Sequence, residues 1–463
     1  MIMAMNKPNV VTILIDDMGW RDLSCYGSEF YETPNIDMLA TNAVSFSNAY
    51  APSPVCSPSR ASLLTGKYPA CHGVTNWIGS QTKGKLIDAP YQWHMSKSEY
   101  TLANALKDAG YATWHVGKWH LGEEEYYPEK YGFQVNIGGC EWGYPIGGYF
   151  SPYKNPSLPN GEDGEYLNDR LTDEAISLIK AHSMDKPFYL NLCHYAVHIP
   201  IQAPQALVEK YKEKRKRLGL DKINPFIEGE NFPCEHKKHL KVIRRTLQSD
   251  EVYAAMIENL DANIGRLIQT LKDTDKLENT IILFTSDNGG LSSSEGSPTC
   301  NAPLKEGKGW ANEGGVRVPF ILKMPNAMQG KKSEQIVSLV DFYPTVLRAA
   351  GLEKKPEQQI DGVDISDALF GRPLVERPIF WHYPHYGNQG GTPHSAIRLG
   401  EWKLIQYYED GHFELFNINE DISEQQELSK KFPKITKELS EHLNSWRIKV
   451  NARIPLPNPE YLE

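Results

Sequence analysis

A chain of 463 residues, 40% of them hydrophobic and 23% charged, is long enough to bury a large core and to divide into two or three domains. Its formal net charge of -9 leaves no basic surplus to neutralise a phosphate backbone, which argues against a nucleic-acid partner. No apolar run reaches the roughly 18 residues that a membrane-spanning helix needs.

The opening MIMAMNKPNV runs into a strand too soon to hold a secretory leader with its cleavage site. The sequence as given therefore predicts either a cytoplasmic protein or one whose signal was removed before residue 1. NVVTILIDD (9–17) is continuously apolar rather than alternating, the pattern of a strand in a parallel sheet covered on both faces. PVCSPSRASLLTG (54–66) predicts a short helix with Ser57 as N-cap, Pro58 in the first helical position and Gly66 as the stop. Cys56 then sits at a helix N-terminus, where unpaired N–H groups and the positive dipole end favour an anion, with Arg60 four residues on and on the same face. TLANALKDAG (101–110) predicts a helix stopped at Gly110, followed by YATWHVGKWH, and PFYLNLCHYAVHIP (187–200) predicts a strand running into a loop. The basic run from Glu209, EKYKEKRKRLG, is a solvated helical face or, alternatively, a rim for a polyanionic substrate.

From Glu251 to Leu271, Val252, Met256, Leu260, Ile264, Leu267, Ile268 and Leu271 share one face of a long amphipathic helix. NTIILFTSDNGG (279–290) is a second buried strand. This alternation predicts an α/β fold, a large mixed sheet flanked by helices with ligands at the carboxyl ends of its strands. After Gly351 the composition turns polar and turn-rich. We therefore divide the chain into a catalytic domain over 1–352, a linker over 353–376 and a smaller C-terminal α+β subdomain over 377–463. The subdomain holds three strand-like segments with EDGH as a turn and a last helix around Ile435 to Val450. The seven cysteines (25, 56, 71, 140, 193, 234 and 300) lack CxxC spacing. One or two disulfides remain open, and the odd count leaves at least one thiol unpaired.

Strand ends carry the candidate chemistry. Asp16 and Asp17 close one strand, Asp287 and Asn288 another, and hard oxygen ligands meeting at one sheet edge suit Ca²⁺ or Mg²⁺. Each pair is equally the kind of residue that ends strands and caps helices. GKWHLG places Lys118 and His120 two residues apart, on one face if the segment is extended. HYAVHIP supplies His194 and His198, and the glycine-rich PLKEGKGWANEGGVRVP supplies Lys305, Lys308 and Arg317. Together, an anion-binding helix end, a hard cation and basic side chains would stabilise a multiply charged tetrahedral ester in its transition state.

CSPSRASLLTG resembles the C-x-P-S-R-x-x-x-L-T-G signature of the type I, formylglycine-dependent sulfatases, whose fold is similar to that of alkaline phosphatase. The likeness runs in order from ILIDDMGWRDLSCYG through TPNIDMLA, GKWHLG, HIP and SDNGG to KGWANEGGVRVP, covering most of residues 9–352. SAIRLGEWKLI and the PLPNPEY ending resemble the family's C-terminal subdomain. The chain is most similar to arylsulfatase-A-like and galactosamine-sulfatase-like bacterial enzymes that act on glycans. The resemblance implies that a formylglycine-generating maturation enzyme oxidises Cys56, with Pro58 and Arg60 in the recognition motif. It further implies that the hydrated aldehyde attacks sulfur and that the sulfated hemiacetal then releases sulfate. Carried over by position, Asp16, Asp17, Asp287, Asn288 and the modified Cys56 hold Ca²⁺. Arg60 holds the formylglycine hydroxyl, Lys118 and Lys308 neutralise sulfate oxygens, His120 helps the hemiacetal collapse, and His198 protonates the leaving oxygen. Val197 stands where many relatives have proline. The family's location implies a periplasmic or secreted enzyme.

The expected substrate is a sulfated oligosaccharide or polysaccharide of galactose or N-acetylgalactosamine type. WHYPHYGNQGG (381–391) is the expected source of sugar-reading groups: His382 and His385, with Arg398 beyond it and Trp77 as a wall. Aromatic packing between subdomains is the competing role for these residues. Two other functions fit the same pattern. One is a phosphonate or phosphodiester hydrolase, which the missing two-zinc His/Asp set disfavours. The other is a non-catalytic sulfated-glycan-binding protein, which the presence of Cys56 and Lys308 disfavours.

Overall fold

The computed structural model describes residues 7–461, so the leading segment Met1–Asn6 on which the leader question turns lies outside the described residues. Strand β1 (Asn9–Ile15) is buried along its whole length. Its alternate side chains enter two different cores: Val11, Ile13 and Ile15 on one side, Val10 and Leu14 on the other. Burial on both faces explains the unbroken apolar run.

Seven more strands complete the sheet: β2 (Val44–Phe46), β3 (Ala112–Gly117), β4 (Val135–Ile137), β5 (Phe188–Cys193), β6 (Thr280–Ser286), β7 (Phe320–Lys323) and β8 (Lys331–Ser333). Their order is β8-β2-β7-β6-β1-β5-β3-β4. From β6 to β4 every neighbouring pair is parallel. β7 runs antiparallel to both β6 and β2, which makes the sheet mixed. Register then aligns the strand ends: Ile15 pairs with Ser286, while Leu14 and Gly117 both pair with Cys193. The residues that follow, Asp16, Asp287, His194 and Lys118, therefore leave the sheet along one edge.

The flanking helices include α1 (Cys56–Thr65), α2 (Leu102–Asp108), α3 (Leu167–Ala181), α4 (Gln205–Arg217) and α5 (Glu251–Asp273). Thr101 and Asn104 form a capping box on α2, and Gly110 follows with a φ of 91°, the left-handed value that suits glycine. Asp250 caps α5 by accepting from the N–H groups of Val252 and Tyr253. Of the predicted apolar face of α5, Met256, Leu260, Ile264, Leu267 and Leu271 lie in the core while Val252 and Ile268 pack partly buried at its margin, and each fully buried leucine or isoleucine contributes about 1.5–3 kcal/mol by leaving water. The basic α4 is not simply solvated. Lys210 pairs with Glu32 and Glu258, Lys214 with Glu32, and Arg215 with Glu251, which binds the helix to its neighbours.

Residues 353–376 contain one short helix, Ser366–Leu369. Beyond them β9 (Ile379–Tyr383), β10 (His394–Leu399), β11 (Trp402–Tyr407) and β12 (Phe413–Asn417) form an antiparallel sheet in sequence order. Helix α6 (Pro433–Lys449) lays Leu439, Leu443 and Trp446 on one face of it, against Phe380, Ile397 and Leu404. The other face packs Trp381, Ala396, Ile405 and Phe416 against Tyr50 and Val316 of the larger part. All seven cysteines are free thiols, so the core and not disulfide bonding holds this fold.

Candidate active site

Helix α1 begins at Cys56, and its N-cap is Val55 rather than Ser57. Val55 is extended and offers no side-chain cap. The Ser57 hydroxyl instead accepts from the N–H of Ile78, tying the helix to a neighbouring loop. Pro58 falls third in the helix, still within the turn whose N–H groups have no helical partner. Gly66 ends the helix with a φ of 68°, as expected. Every residue of α1 is buried. Tertiary burial, not a capping side chain, holds Cys56 at the helix start.

Around Cys56 the four parallel strand ends converge. Lys118 Nζ lies 2.7 Å from Asp16 Oδ2, and both side chains are fully buried. Lys308 Nζ lies 2.8 Å from Asp17 Oδ2 and 3.1 Å from His198 Nε2. Arg60 is directed to Asp287, Nε to Oδ2 at 2.8 Å, and donates from a second nitrogen to the Lys118 carbonyl, so it braces the cluster from beneath. Asn288 Nδ2 donates to Asp17 Oδ1 at 2.8 Å. Asp16 Oδ1 and Asn288 Oδ1 are buried and, among the described residues, have no hydrogen-bond partner. Unpaired hard oxygens beside two further carboxylates form a donor set that fits calcium.

Lys118 and His120 reach the site by a different route from the extended one expected. His120 turns into the left-handed region with a φ of 57°, which brings its Nδ1 to 3.3 Å from Cys56 Sγ. Its Nε2 lies 3.3 Å from the Ile78 carbonyl; with the proton there, Nδ1 faces Cys56 as an acceptor. His198 Nδ1 donates to the Ile199 carbonyl at 2.8 Å, leaving Nε2 as the acceptor toward Lys308. Val197 N–H donates to the Asp16 carbonyl at 2.7 Å, a bond that proline at this position cannot make.

Electrostatics follow from burial and neighbours. Burial pushes the Asp16 carboxyl up to about 8 despite Lys118. Burial acts the same way on Asp17, but Lys308 and His198 outweigh it and hold this carboxyl well below the usual range. Burial also raises the Cys56 thiol, which keeps the sulfur protonated and a poor nucleophile. Burial, reinforced by Lys118 and Arg60, pushes His120 well down, and burial with Lys308 brings His198 to about 3. Both rings are neutral at pH 7.

Above the cluster opens a cavity of about 380 Å³, with Cys56, His120, His198 and Lys308 at its floor and Trp77, Trp142 and Tyr144 among its walls. Trp77 thus stands where expected. His382, His385 and Arg398 do not line it. His382 points into the subdomain, bonded to Ser395 and to the Arg453 carbonyl. His385 is buried against Thr75 and Asp88. Arg398 is buried beside Tyr50 and donates to the Gly400 carbonyl. From the same loop it is Asn388 and Gln389 that reach the cavity. His194 is buried without a ring partner, while Lys305 and Arg317 engage Glu424 and Glu313 elsewhere. The sequence reading missed Glu141, Trp142, Tyr144 and Glu295, all on irregular loops.

A family model described as Sulfatase matches residues 8–352, and one for the C-terminal part of N-sulphoglucosamine sulphohydrolase matches residues 307–449. A sulfatase of Formosa agariphila is 32% identical, over 97% of this chain and 90% of that protein. The N-acetylgalactosamine-6-sulfatase of Homo sapiens is 31% identical, over 86% of this chain and 72% of its own length. The crystal structure of Ps i-CgsB superimposes with a TM-score of 0.77 at 29% identity, covering 95% of this chain and 93% of that one. The same protein in complex with k-i-k-neocarrahexaose gives a TM-score of 0.75, again at 29% identity and with the same coverage. The chain belongs to the sulfatase family, of the arylsulfatase and galactosamine-sulfatase type, and is a sulfuric ester hydrolase.

Proposed function

We propose that the chain removes sulfate from a sulfated carbohydrate of galactose or N-acetylgalactosamine type, with Cys56 matured to formylglycine and Ca²⁺ held by Asp16, Asp17, Asp287 and Asn288. The observation that carries this reading is the meeting of unpaired buried oxygens with Lys118, Lys308 and position 56 at one sheet edge. A carbohydrate is supported by relatives that act on N-acetylgalactosamine sulfate or bind a neocarrahexaose, and by aromatic walls suited to a sugar ring. Export to the periplasm or the medium belongs to the same reading, on the family resemblance.

When present, the calcium ion supplies Lewis-acid stabilisation, and formylglycine supplies an oxygen nucleophile where the protonated thiol could not serve. Lys118 and Lys308 place two fixed positive charges where sulfate oxygens gain negative charge. His120 presents Nδ1 to position 56 and accepts a proton there. Burial and Lys308 keep His198 neutral at pH 7. A bound anion opposes the effect of Lys308 on its ring, and once protonated at Nε2 it delivers that proton to the leaving oxygen. Arg60 holds Asp287 in place through its Nε and a second guanidinium nitrogen, both 2.8 Å from Oδ2.

The test joins two measurements on protein co-expressed with a maturation enzyme. The peptide ending at Arg60 should weigh about 18 Da less than its thiol form, the signature of an oxidised Cys56. The matured protein should release sulfate from monosulfated galactose or N-acetylgalactosamine. A modified residue with no release from either sugar overturns the reading.

A further inference from the structure

Two acidic residues face a cavity whose task is to admit an anion. Glu295 and Glu141 line the same space as Cys56, His198 and Lys308. Among the described residues that line it, Lys308 is the only lysine or arginine, and its charge is already paired with Asp17. The floor therefore brings one lysine, already paired, to the place of the ester, and the walls above it add two carboxyl groups.

Glu295 is held for this position by its surroundings. Its backbone has a φ of 52° in a serine- and glycine-rich loop that follows the Asp287–Asn288 strand end. Its Oε1 accepts from Asn388 Nδ2 at 2.6 Å and from Gln389 Nε2 at 3.1 Å, bonds that link the metal-side loop to the loop between β9 and β10. Its Oε2 makes no hydrogen bond to any described residue, and the Oε1 of Gln389 is buried and unpaired. Burial raises the Glu295 carboxyl, against the pull of Lys308 and the two amides. A carboxylate oxygen without a partner accepts a hydrogen bond from a hydroxyl group and repels anions. The aromatic rings of Trp77, Trp142 and Tyr144 offer the apolar face that a neutral sugar needs.

Resting on the carbohydrate function proposed above, we propose that Glu295 is a specificity-determining residue that reads a hydroxyl of the sulfated sugar and rejects sugars bearing a second anionic group beside the ester. The substrate class is then a sugar carrying a single sulfate, with free hydroxyls around it, rather than a disulfated residue.

The experiment uses the matured full chain with the 4- and 6-monosulfates of galactose and N-acetylgalactosamine, their 4,6-disulfates, and 4-nitrophenyl sulfate. The better monosulfate of each sugar should exceed its disulfate in kcat/KM by at least tenfold. Glu295→Gln, which keeps the shape and removes the charge, should narrow that ratio about tenfold, chiefly by lowering KM for the disulfate. Equal use of mono- and disulfates by the wild type, or a ratio that Glu295→Gln leaves unmoved, overturns the assignment while leaving the carbohydrate reading intact. Cleavage of 4-nitrophenyl sulfate with none of the sugars overturns both.

Discussion

Calcium should stabilise this protein, and bound sulfate should make it do so more strongly. Three buried carboxyl groups, Asp16, Asp17 and Asp287, meet three buried cations, Arg60, Lys118 and Lys308, so the six charges balance once a divalent cation draws the raised Asp16 carboxyl into its ionised form. A divalent cation satisfies the unpaired oxygens of Asp16 and Asn288 but leaves an excess of positive charge beside two lysines. A sulfate dianion on those lysines removes the excess. With calcium at about a hundred times its Kd the native state gains about 2.7 kcal/mol. Unfolding entropy of about 2.1 cal/mol/K per residue gives roughly 1 kcal/mol/K for 463 residues, so Tm should rise by about 3 °C. Sulfate should then tighten calcium by about 5–150-fold, and calcium should tighten sulfate by the same factor, because the coupling is reciprocal. The assay is differential scanning calorimetry across calcium concentrations, with sodium sulfate or with sodium chloride of equal ionic strength. Asn288→Ala should shrink the calcium shift. A Tm indifferent to calcium and chelator refutes the metal assignment, and a calcium midpoint that sulfate does not move refutes the charge count.

Other consequences follow from single contacts. Lys308→Met removes a fixed charge that meets the sulfate and should lower kcat/KM for a cleaved sulfate ester by about 10²–10³-fold; a loss below tenfold refutes its role. His72, His115 and His382 are each held near 3 by burial, whereas the unfolded chain titrates near 6.5. Their contribution is therefore complete above about pH 6.5 and is lost as pH falls toward 3, each removing about 1.4 kcal/mol by pH 5.5; an unchanged urea midpoint from pH 7 to 5.5 contradicts this. Leu443→Ala opens the core between α6 and the small sheet and should cost about 2–5 kcal/mol, read as a fall in Tm, while an unchanged Tm would show that this core does not limit unfolding.

The cluster beneath the cavity was legible because its residues stand at the ends of regular elements. Once β1, β3, β5 and β6 are recognised as parallel strands, register brings Asp16, Lys118 and Asp287 to one edge, and the loop that leaves β5 there carries His198. Local codes served less well where tertiary packing could replace them. Ser57 has the chemistry of an N-cap, yet burial of the whole of α1 let extended Val55 take the position and freed Ser57 for Ile78. His120 was placed by periodicity on an extended segment, whereas a left-handed turn delivers it.

The cavity walls had no periodic signal to read. His382 and Arg398 lie within β9 and β10, where the small sheet buries them, while the tip of the same hairpin supplies Asn388 and Gln389. That tip is positioned from outside its own segment. Trp310 Nε1 donates to the Gln389 carbonyl at 3.0 Å, Phe232 stacks on Trp310, and a Cβ on Gly390 would stand 2.3 Å from the Phe232 ring. The groups to which we assign hydrolysis are thus fixed by the sheet, and those proposed to meet the sugar by how the smaller subdomain packs on it. A substitution at Phe232 or Gly390 should accordingly alter which sulfated sugar is preferred before it alters hydrolysis of a small aryl sulfate, because only the walls depend on that contact.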